Sequence, residues 1–585
     1  MEVSSFAVEL LFALRSLPAL KTLPFLETAL PPSTYASSLL SYRRAEAVSR
    51  PYGMTMSDIL NLTPKFWDLH MDPVNTLDSS SFTILTIQYN LCAGTIARYA
   101  VKRPDLEPLV RDLLGFKKHG QFMLTEVGHG IDMANLETTA TLLPSGDFML
   151  NTPNPQAAKM MPPTVPAGKP CIAVVFARLI VGAEDRGIRP FIVALNDGVR
   201  MCTGVRAKKL PDRGSTTPVN HSITYFHNVH LPSAALLGTL DPLASDKSHL
   251  AEVSWRIAIG SIALGCYALP LMQVYTTIGV KYSLRRHVGP PSARMPIMAF
   301  RTQQIPLVAA LAQLHVLQAY AQWSVKLFRD TSLPLRVRHG LANVLKAVMV
   351  QHSQTAAVAI SERCGAQGLF AYNQINALHS TMRGISIAEG DILALSIRLI
   401  TELLQGRYAL PVPRDPSGIL AQHEAQIFSS KRAIMASSPS SRSDTTNRLI
   451  LPHCQPLVEA VGHRMAYEAA VSAGVSQDLI DMYLVSVIKL DAGWYVENLG
   501  MTGKQIEEME CSAVDRLVGN DGGKRLEALV DAFGVEQYVK APIVSDEMWT
   551  AFVDGLPVSE GDAEVQVWPG NGGLEREMEM EMAHL

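Results

Sequence analysis

Cys171-Ile172-Ala173-Val174-Val175-Phe176 and Pro190-Phe191-Ile192-Val193-Ala194-Leu195 are short apolar runs bounded by Gly, Pro and Asp. Runs of this kind are strand signals, and here they recur through residues 121–240 at the spacing of an all-β unit. On both sides the texture is helical. Upstream, residues 106–114 place apolar side chains at helical spacing, while residues 75–81 read as a turn. Downstream, Leu307, Leu311, Leu314, Leu317 and Tyr320 mark one helix face, and Ile392, Leu395, Leu399 and Leu403 mark another. The expected fold class is therefore mainly α with a central β-domain.

The division follows from these textures: an N-terminal helical domain over 1–120, a central β-domain over 121–245 and a helical bundle over 246–428. A Ser-rich linker is expected over 429–449, where Ser437-Ser438-Pro439-Ser440-Ser441 cannot bury a core. A C-terminal helical domain over 450–560 and a disordered Gly- and Glu-rich tail over 561–585 complete the chain. At 585 residues, several domains are the normal outcome.

Composition narrows the function. With 48% hydrophobic and 18% charged residues, the chain has ample apolar surface to bury. The 51 Lys+Arg against 54 Asp+Glu give a net charge of −3, which offers no footprint for nucleic acid. Seven scattered cysteines form no C-x-x-C pair and no Cys/His cluster, so a reduced protein with no metal site is expected. Residues 257–280 carry no formal charge and would suit a bilayer in length, but Pro270, Gln273, Thr276 and Thr277 argue for a buried core helix instead of a membrane span. The N-terminus has Glu2 and Glu9 where a signal peptide would be basic. Ala583-His584-Leu585 matches the small/basic/Leu pattern of peroxisomal C-terminal addresses, although the acidic run before it is a poor neighbour. The expected location is the peroxisome or the cytoplasm.

No G-x-G-x-x-G after a strand, P-loop, H-E-x-x-H or G-x-S-x-G occurs. One segment stands out: Leu124-Thr125-Glu126-Val127-Gly128-His129-Gly130, followed by Leu136-Glu137-Thr138-Thr139-Ala140-Thr141. Its glycines let backbone N–H groups approach a ligand, and its hydroxyls supply short-range donors. Taken alone, it reads more readily as a Gly-rich turn before a strand.

The pattern T-E-x-G-H-G then L-E-T-T-A-T resembles the signature of the acyl-CoA oxidases, flavoproteins of the acyl-CoA dehydrogenase superfamily. The likeness continues through Val175-Phe176-Ala177-Arg178-Leu179, residues 187–193, Val229-His230-Leu231-Pro232, Phe300-Arg301-Thr302-Gln303-Gln304, Cys364-Gly365-Ala366-Gln367-Gly368 and residues 491–498. It implies a helical domain, a β-barrel-like domain, a helical bundle and an extra C-terminal helical domain. It also implies bound FAD, an acyl-CoA substrate, molecular oxygen as electron acceptor and a homodimer.

The resemblance assigns roles to residues. Thr125 falls where the family threonine bonds the flavin ring, with Gly128 in the same turn. Arg285 resembles an arginine that contacts FAD phosphates across the dimer, and Gln304 a glutamine that holds FAD from the partner subunit. Gly365 and Gly368 resemble a glycine turn beside the cofactor. Glu389, in Ala388-Glu389-Gly390-Asp391, stands where the family's catalytic base removes the substrate's α-proton. A carboxylate suits that task when burial raises its pKa, whereas a following helix N-terminus opposes the rise. Asp391 is placed to cap that helix.

There are departures. Lys159-Met160-Met161-Pro162-Pro163-Thr164 replaces the family's K-W-W-x-G-G, and proline supplies no N–H to a flavin. His287, Val288, Leu369 and Ile392 also break the pattern. They mark a divergent member, with a specialised biosynthetic branch as one expectation. Three functions stay open at this level: an acyl-CoA oxidase, a dehydrogenase acting on a carrier- or CoA-bound acyl intermediate, and a non-catalytic scaffold of the same fold.

Overall fold

A computed structural model describes Leu20 and residues 34–563, apart from 215, 244–245, 441 and 520. The expected tail beyond residue 563, with Ala583-His584-Leu585, lies outside the described residues, as do Glu2 and Glu9.

The chain opens with helices Thr34–Tyr52, Met56–Asn61, Pro64–Met71 and Ser79–Thr86. The stretch expected to turn at 75–81 is instead a 3₁₀ segment, Pro73–Leu77, and the start of the next helix. Asp78 makes this possible: its carboxylate accepts from the N–H groups of Ser80 and Ser81, capping the helix, and pairs with Arg44 at 3.0 Å. Residues Ile87–Ala93 then widen into a π-helical turn before Gly94–Ala100 and Glu107–Leu114.

Nine strands follow: β1 (His119–Met123), β2 (Thr139–Leu142), β3 (Phe148–Asn151), β4 (Lys159–Pro163), β5 (Cys171–Val181), β6 (Glu184–Asn196), β7 (Val205–Lys209), β8 (His221–Phe226) and β9 (Val229–Leu231). Strand β5 is the spine. It pairs antiparallel with β6 along one edge, and on the other edge parallel with β1 (His119 opposite Cys171) and then with β2 (Thr139 opposite Arg178). β3 and β9 extend the sheet, while β4, β8 and β7 form a second, antiparallel one. The sheets meet where Phe226 N–H donates to the Thr152 hydroxyl at 2.9 Å.

The continuous apolar reading of β5 has a simple cause. Side chains alternate between faces along a strand, and both faces of β5 are buried. Ala173, Val175 and Ala177 point into the β-domain's own core with Phe148, Phe191 and Phe226. Ile172, Val174 and Phe176 point into the core shared with the helices.

The helical bundle comprises Trp255–Cys266, Ala268–Arg285, Arg301–Arg329, Leu335–Arg363, Ile375–Ile387 and Ile392–Leu404. The uncharged stretch at 257–280 forms the first two of these. By length and composition Trp255–Arg285 could cross a membrane, yet 94% of its apolar window is buried inside the protein. Leu307, Leu311, Leu314, Leu317 and Tyr320 are all buried, as their spacing predicts.

The expected linker at 429–449 is corrected. A helix spans Ile419–Ser437 and another Asp444–Leu449, and the described residues between them, Ser438–Ser440, Arg442 and Ser443, are irregular. Ile427, Phe428, Ile434 and Met435 return after two helical turns and pack against the main core, which outweighs the weak helix preference of the interspersed serines. Helices Cys454–Ser472, Gln477–Ile488 and Gly503–Val518 then pack onto the bundle through buried Val458, Val461, Met482 and Val514.

Candidate functional site

Glu389 sits between helices Ile375–Ile387 and Ile392–Leu404 with φ +55°, a left-handed conformation uncommon for a residue with a side chain. Asp391 caps the second helix, its carboxylate accepting from Ala394 N–H at 3.0 Å. That fixes the point at which the Glu389 side chain leaves the backbone and turns inward.

Four side chains from three segments surround it. Asn90, in the π-helical turn, donates through Nδ2 to Glu389 Oε2 at 3.1 Å and to the Arg256 carbonyl at 3.0 Å. Ser261 Oγ donates to the Glu389 carbonyl at 2.7 Å. Lys346 Nζ, from helix Leu335–Arg363, donates to the carbonyls of Ala388 and Gly390. Arg256, buried, donates through Nε to the Asn90 carbonyl at 2.7 Å and through Nη1 to the Ile59 carbonyl at 3.1 Å. Its Nη2 and the Asn90 Oδ1 are buried with no hydrogen-bond partner.

Two glycines make room. A Cβ on Gly260 would lie 1.2 Å from Glu389 Oε2, and one on Gly94 would lie 2.4 Å from the Arg256 guanidinium. Each sits in a helix, where glycine costs ~1 kcal/mol relative to alanine; here that cost is offset by the close approach of a charged group.

Electrostatics follow from burial. Desolvation pushes the Glu389 carboxyl up to about 8, against the opposing charges of Lys346 and Arg256 and the Asn90 hydrogen bond. The same loss of water draws the Lys346 ammonium down, with Glu389 and Asp391 resisting. Burial therefore outweighs the capped helix N-terminus at Glu389. A carboxyl poised near neutrality, with its backbone clamped, can exchange a proton with a bound carbon acid.

The other predicted residues form two groups. Thr125 and Gly128 lie in the loop after β1. The Thr125 hydroxyl donates to the Met160 carbonyl, Met160 N–H returns a bond to the Thr125 carbonyl at 3.1 Å, and Gly128 N–H donates to Gln156 O at 2.8 Å. The neighbouring Glu126 is structural: buried, it pairs with Lys159 at 2.9 Å and accepts from the N–H groups of Glu137 and Thr138. Lys159-Met160-Met161 thus holds this loop from below.

Arg285, Gln304, Gly365 and Gly368 gather at one end of the bundle. Gln303 Nε2 ties Ser283 Oγ to the Arg363 carbonyl, and Gln304 Nε2 donates to Met298 O at 3.0 Å. Gly365 takes φ +59° with open space where a Cβ would stand, and Gly368 packs its Cα against the Ser361 carbonyl, too close for any side chain. Arg285 donates to Asp546 at 2.6 Å and to the Ile543 carbonyl, and lines a cavity of 520 Å³ with Thr277, Lys281, Glu536 and Ser545. This end is far from Glu389: the helix from Lys346 to Arg363 alone covers about 25 Å at ~1.5 Å per residue.

Sequence reading missed Asn90, Gly94, Arg256, Gly260, Ser261 and Lys346. The only local signals were the two helix-interior glycines and uncharged surroundings around a lone Arg or Lys. Among the described residues, no group of His, Cys, Asp and Glu could hold a metal ion.

Comparison with known proteins adds an independent line. Residues 263–404 match the acyl-CoA oxidase C-alpha1 domain. Acyl-coenzyme A oxidase 2, peroxisomal, of Arabidopsis thaliana is 26% identical over 390 residues, 62% of this chain and 55% of that protein. Acyl-coenzyme A oxidase 3 of Yarrowia lipolytica is 28% identical over 224 residues, 36% of this chain and 32% of that one. The chain spans about half the length, or less, of the curated relatives it matches. The crystal structure of acyl-CoA oxidase 1 from Yarrowia lipolytica superposes with a TM-score of 0.74 at 17% identity, covering 95% of this chain and 92% of that one. Acyl-CoA oxidase-2 of Caenorhabditis elegans, bound with FAD, ascaroside-CoA and ATP, superposes at 0.69 with 17% identity, covering 94% and 96%. The helical, β, helical architecture is that fold.

Proposed function

We propose that the chain is a member of the acyl-CoA oxidase family, supported by the C-alpha1 match and the shared fold, and that it is an FAD-dependent acyl-CoA oxidase that introduces an α,β double bond into an acyl thioester. The observation that carries this reading is the Glu389 carboxyl, raised to about 8 by burial and held by Asn90, with its backbone fixed on both sides.

FAD fits the residues present. The glycine turns at Gly130 and Gly365 leave open space for a ligand to meet backbone, and Arg285 and Lys281 line a cavity, each paired with an exposed carboxylate, Asp546 and Asp531, that a phosphate would replace. Thr125 and Gly128 would hold the flavin end, whereas Arg285, Gln304, Gly365 and Gly368 would hold the phosphate end. The second set stands about 25 Å from the Lys346–Glu389 end along helix Leu335–Arg363 and, as the resemblance implies, would serve the other subunit's cofactor, which makes the working unit a homodimer. The Thr125 hydroxyl hydrogen and backbone carbonyl are both engaged with Met160, so the hydroxyl's lone pairs and the backbone N–H are the parts left to meet the ring. Pro163 has no N–H to add.

FAD, when bound, would supply the two-electron acceptor for the substrate's β-hydride, with O2 as the final oxidant and hydrogen peroxide as its product. The chain's own contribution is proton chemistry and alignment. Glu389 in its ionised form takes the α-proton, so that the C–H electrons become available to form the double bond as the β-hydride departs. Asn90 orients the carboxylate through Oε2 and leaves Oε1 for the substrate. Arg256 keeps a positive charge behind the pair, which restrains the rise in the Glu389 pKa. Gly260 permits the carboxylate to sit against the helix with no intervening methyl.

Peroxisomal residence belongs to the same proposal; relatives from Arabidopsis thaliana carry that location in their names. The test is anaerobic mixing of the yellow protein with an acyl-CoA. Bleaching of the flavin absorbance, followed by recovery and peroxide formation on admitting air, is the expected result. No bleaching with any acyl-CoA would refute the reading.

A further inference from the structure

Lys346 is a buried cation that the mechanism above meets only as a bond to the backbone beside Glu389, with no role of its own. It lies in the interior of helix Leu335–Arg363 with no exposed surface, and it makes no ion pair within 4 Å among the described residues. Burying an ammonium without a contacting carboxylate is costly. Here all its resolved hydrogen bonds go to two main-chain carbonyls, those of Ala388 and Gly390, the latter at 2.6 Å. These are the residues on either side of Glu389, which itself is held at φ +55°.

We propose that Lys346 is a positioning residue for the base, its ammonium clamping the backbone on both sides of Glu389 and so fixing the left-handed turn that aims the carboxylate. The inference rests on the reading of Glu389 as the base. The alternatives for this turn are weak. Asp391 anchors only the helix that follows, and Ser261 holds only the Glu389 carbonyl. Neither restrains Ala388, which terminates the preceding helix. Lys346 alone ties the end of one helix to the start of the next across Glu389.

Its charge acts in the same direction as its geometry. The groups facing Glu389 are Lys346 from this helix, Arg256 from helix Trp255–Cys266 and Asn90 from the π-helical turn, while Asp391 on the loop itself faces Lys346. Both cations favour the ionised carboxylate. Removing the Lys346 charge therefore moves the acid limb of the proton-abstraction rate to higher pH.

The experiment compares the FAD-loaded protein with Lys346→Met, Lys346→Arg and Glu389→Gln. Methionine keeps length and volume but no donor or charge; arginine keeps both. Three quantities are measured: anaerobic flavin bleaching against pH, thermal unfolding, and hydrogen exchange of the amides in residues 386–392. For Lys346→Met the expected result is a bleaching rate lower by ~10- to 100-fold, since small misplacements of a reacting group cost that much. KM should change less than about threefold, the acid limb should move to higher pH, and the 386–392 amides should exchange faster. Lys346→Arg should restore the limb and the protection in part. If Lys346→Met lowers the melting temperature yet leaves the limb and loop exchange where they were, Lys346 is merely structural and the proposal is overturned. If that variant does not fold, Lys346→Arg decides: a folded arginine variant whose limb or loop protection is lost overturns it equally. Glu389→Gln separates the two readings. A dead Glu389→Gln beside a normal Lys346→Met sinks only the clamp; a Glu389→Gln that bleaches at the parental rate sinks the base, and the clamp with it.

Discussion

Gly260→Ala is the sharpest perturbation the site offers, because it adds one methyl and changes no charge. The new Cβ would stand 1.2 Å from Glu389 Oε2, 2.1 Å from Cδ and 2.7 Å from Asn90 Nδ2. Ordinary contact lies near ~3.5 Å, so the carboxylate must retreat by about 2 Å. In doing so it gives up the Asn90 hydrogen bond. Misplacement of a reacting group by ~1 Å can cost ~100-fold in rate, so the expected loss in anaerobic bleaching is at least ~100-fold. Stability should change far less: overpacking costs ~1–3 kcal/mol, and exchanging glycine for alanine within a helix returns ~1 kcal/mol. The assay is stopped-flow bleaching with saturating acyl-CoA, alongside FAD content and the melting temperature. Gly493→Ala serves as the control, since a Cβ there meets no atom within 4 Å. A Gly260→Ala protein that holds its FAD and bleaches within threefold of the parent would refute both the placement of the carboxylate and the reasoning built on it.

Glu389→Gln should lower bleaching by ~10²–10⁴-fold while FAD and fold persist, because Gln fills the same space but accepts no proton; spectral titration and circular dichroism check both halves. In the parent, the bleaching rate of the free enzyme should rise with pH through about 8, where Glu389 ionises, and a profile already flat from pH 6 would contradict the burial argument. The linked stability has a definite sign. A carboxyl raised from 4.5 to about 8 loses its proton first in the unfolded chain, so the parent loses stability as pH rises between those values. The melting temperature of Glu389→Gln relative to the parent should therefore climb over that window, as calorimetry would show. Mixed dimers test the shared cofactor: Arg285→Ala and Glu389→Gln are each inactive, yet unfolding and refolding them together at equal amounts should restore about a quarter of parental activity, since half the dimers would carry one intact site. No restoration would place both residues on one subunit's cofactor.

The β-domain was legible because its spine is buried on both faces. Cys171–Val181 reads as one apolar run, and the structure puts alternate residues into two different cores. Composition misled at 429–449, where serines obscured Ile434 and Met435, which follow Ile427 and Phe428 at a spacing of seven residues, the helical signal that prevailed. Glu389 was legible only through its resemblance to a motif, since a Glu ahead of a helix is ordinarily a solvated or capping residue. Its partners were not legible, for a physical reason. Asn90 meets Glu389 across 299 positions of chain and Ser261 across 128. Each contact depends on packing among the π-helical turn, helix Trp255–Cys266 and helix Leu335–Arg363, and no local periodicity encodes it. A usable trace nevertheless remained. Glycine in a buried helix interior sacrifices ~1 kcal/mol and a side chain that could pack. Gly94 and Gly260 do so at the two places where a charged group from another segment passes, Arg256 at one and Glu389 at the other. Such glycines, set against an otherwise continuous apolar face, point to a buried charge whose identity the helix itself does not contain.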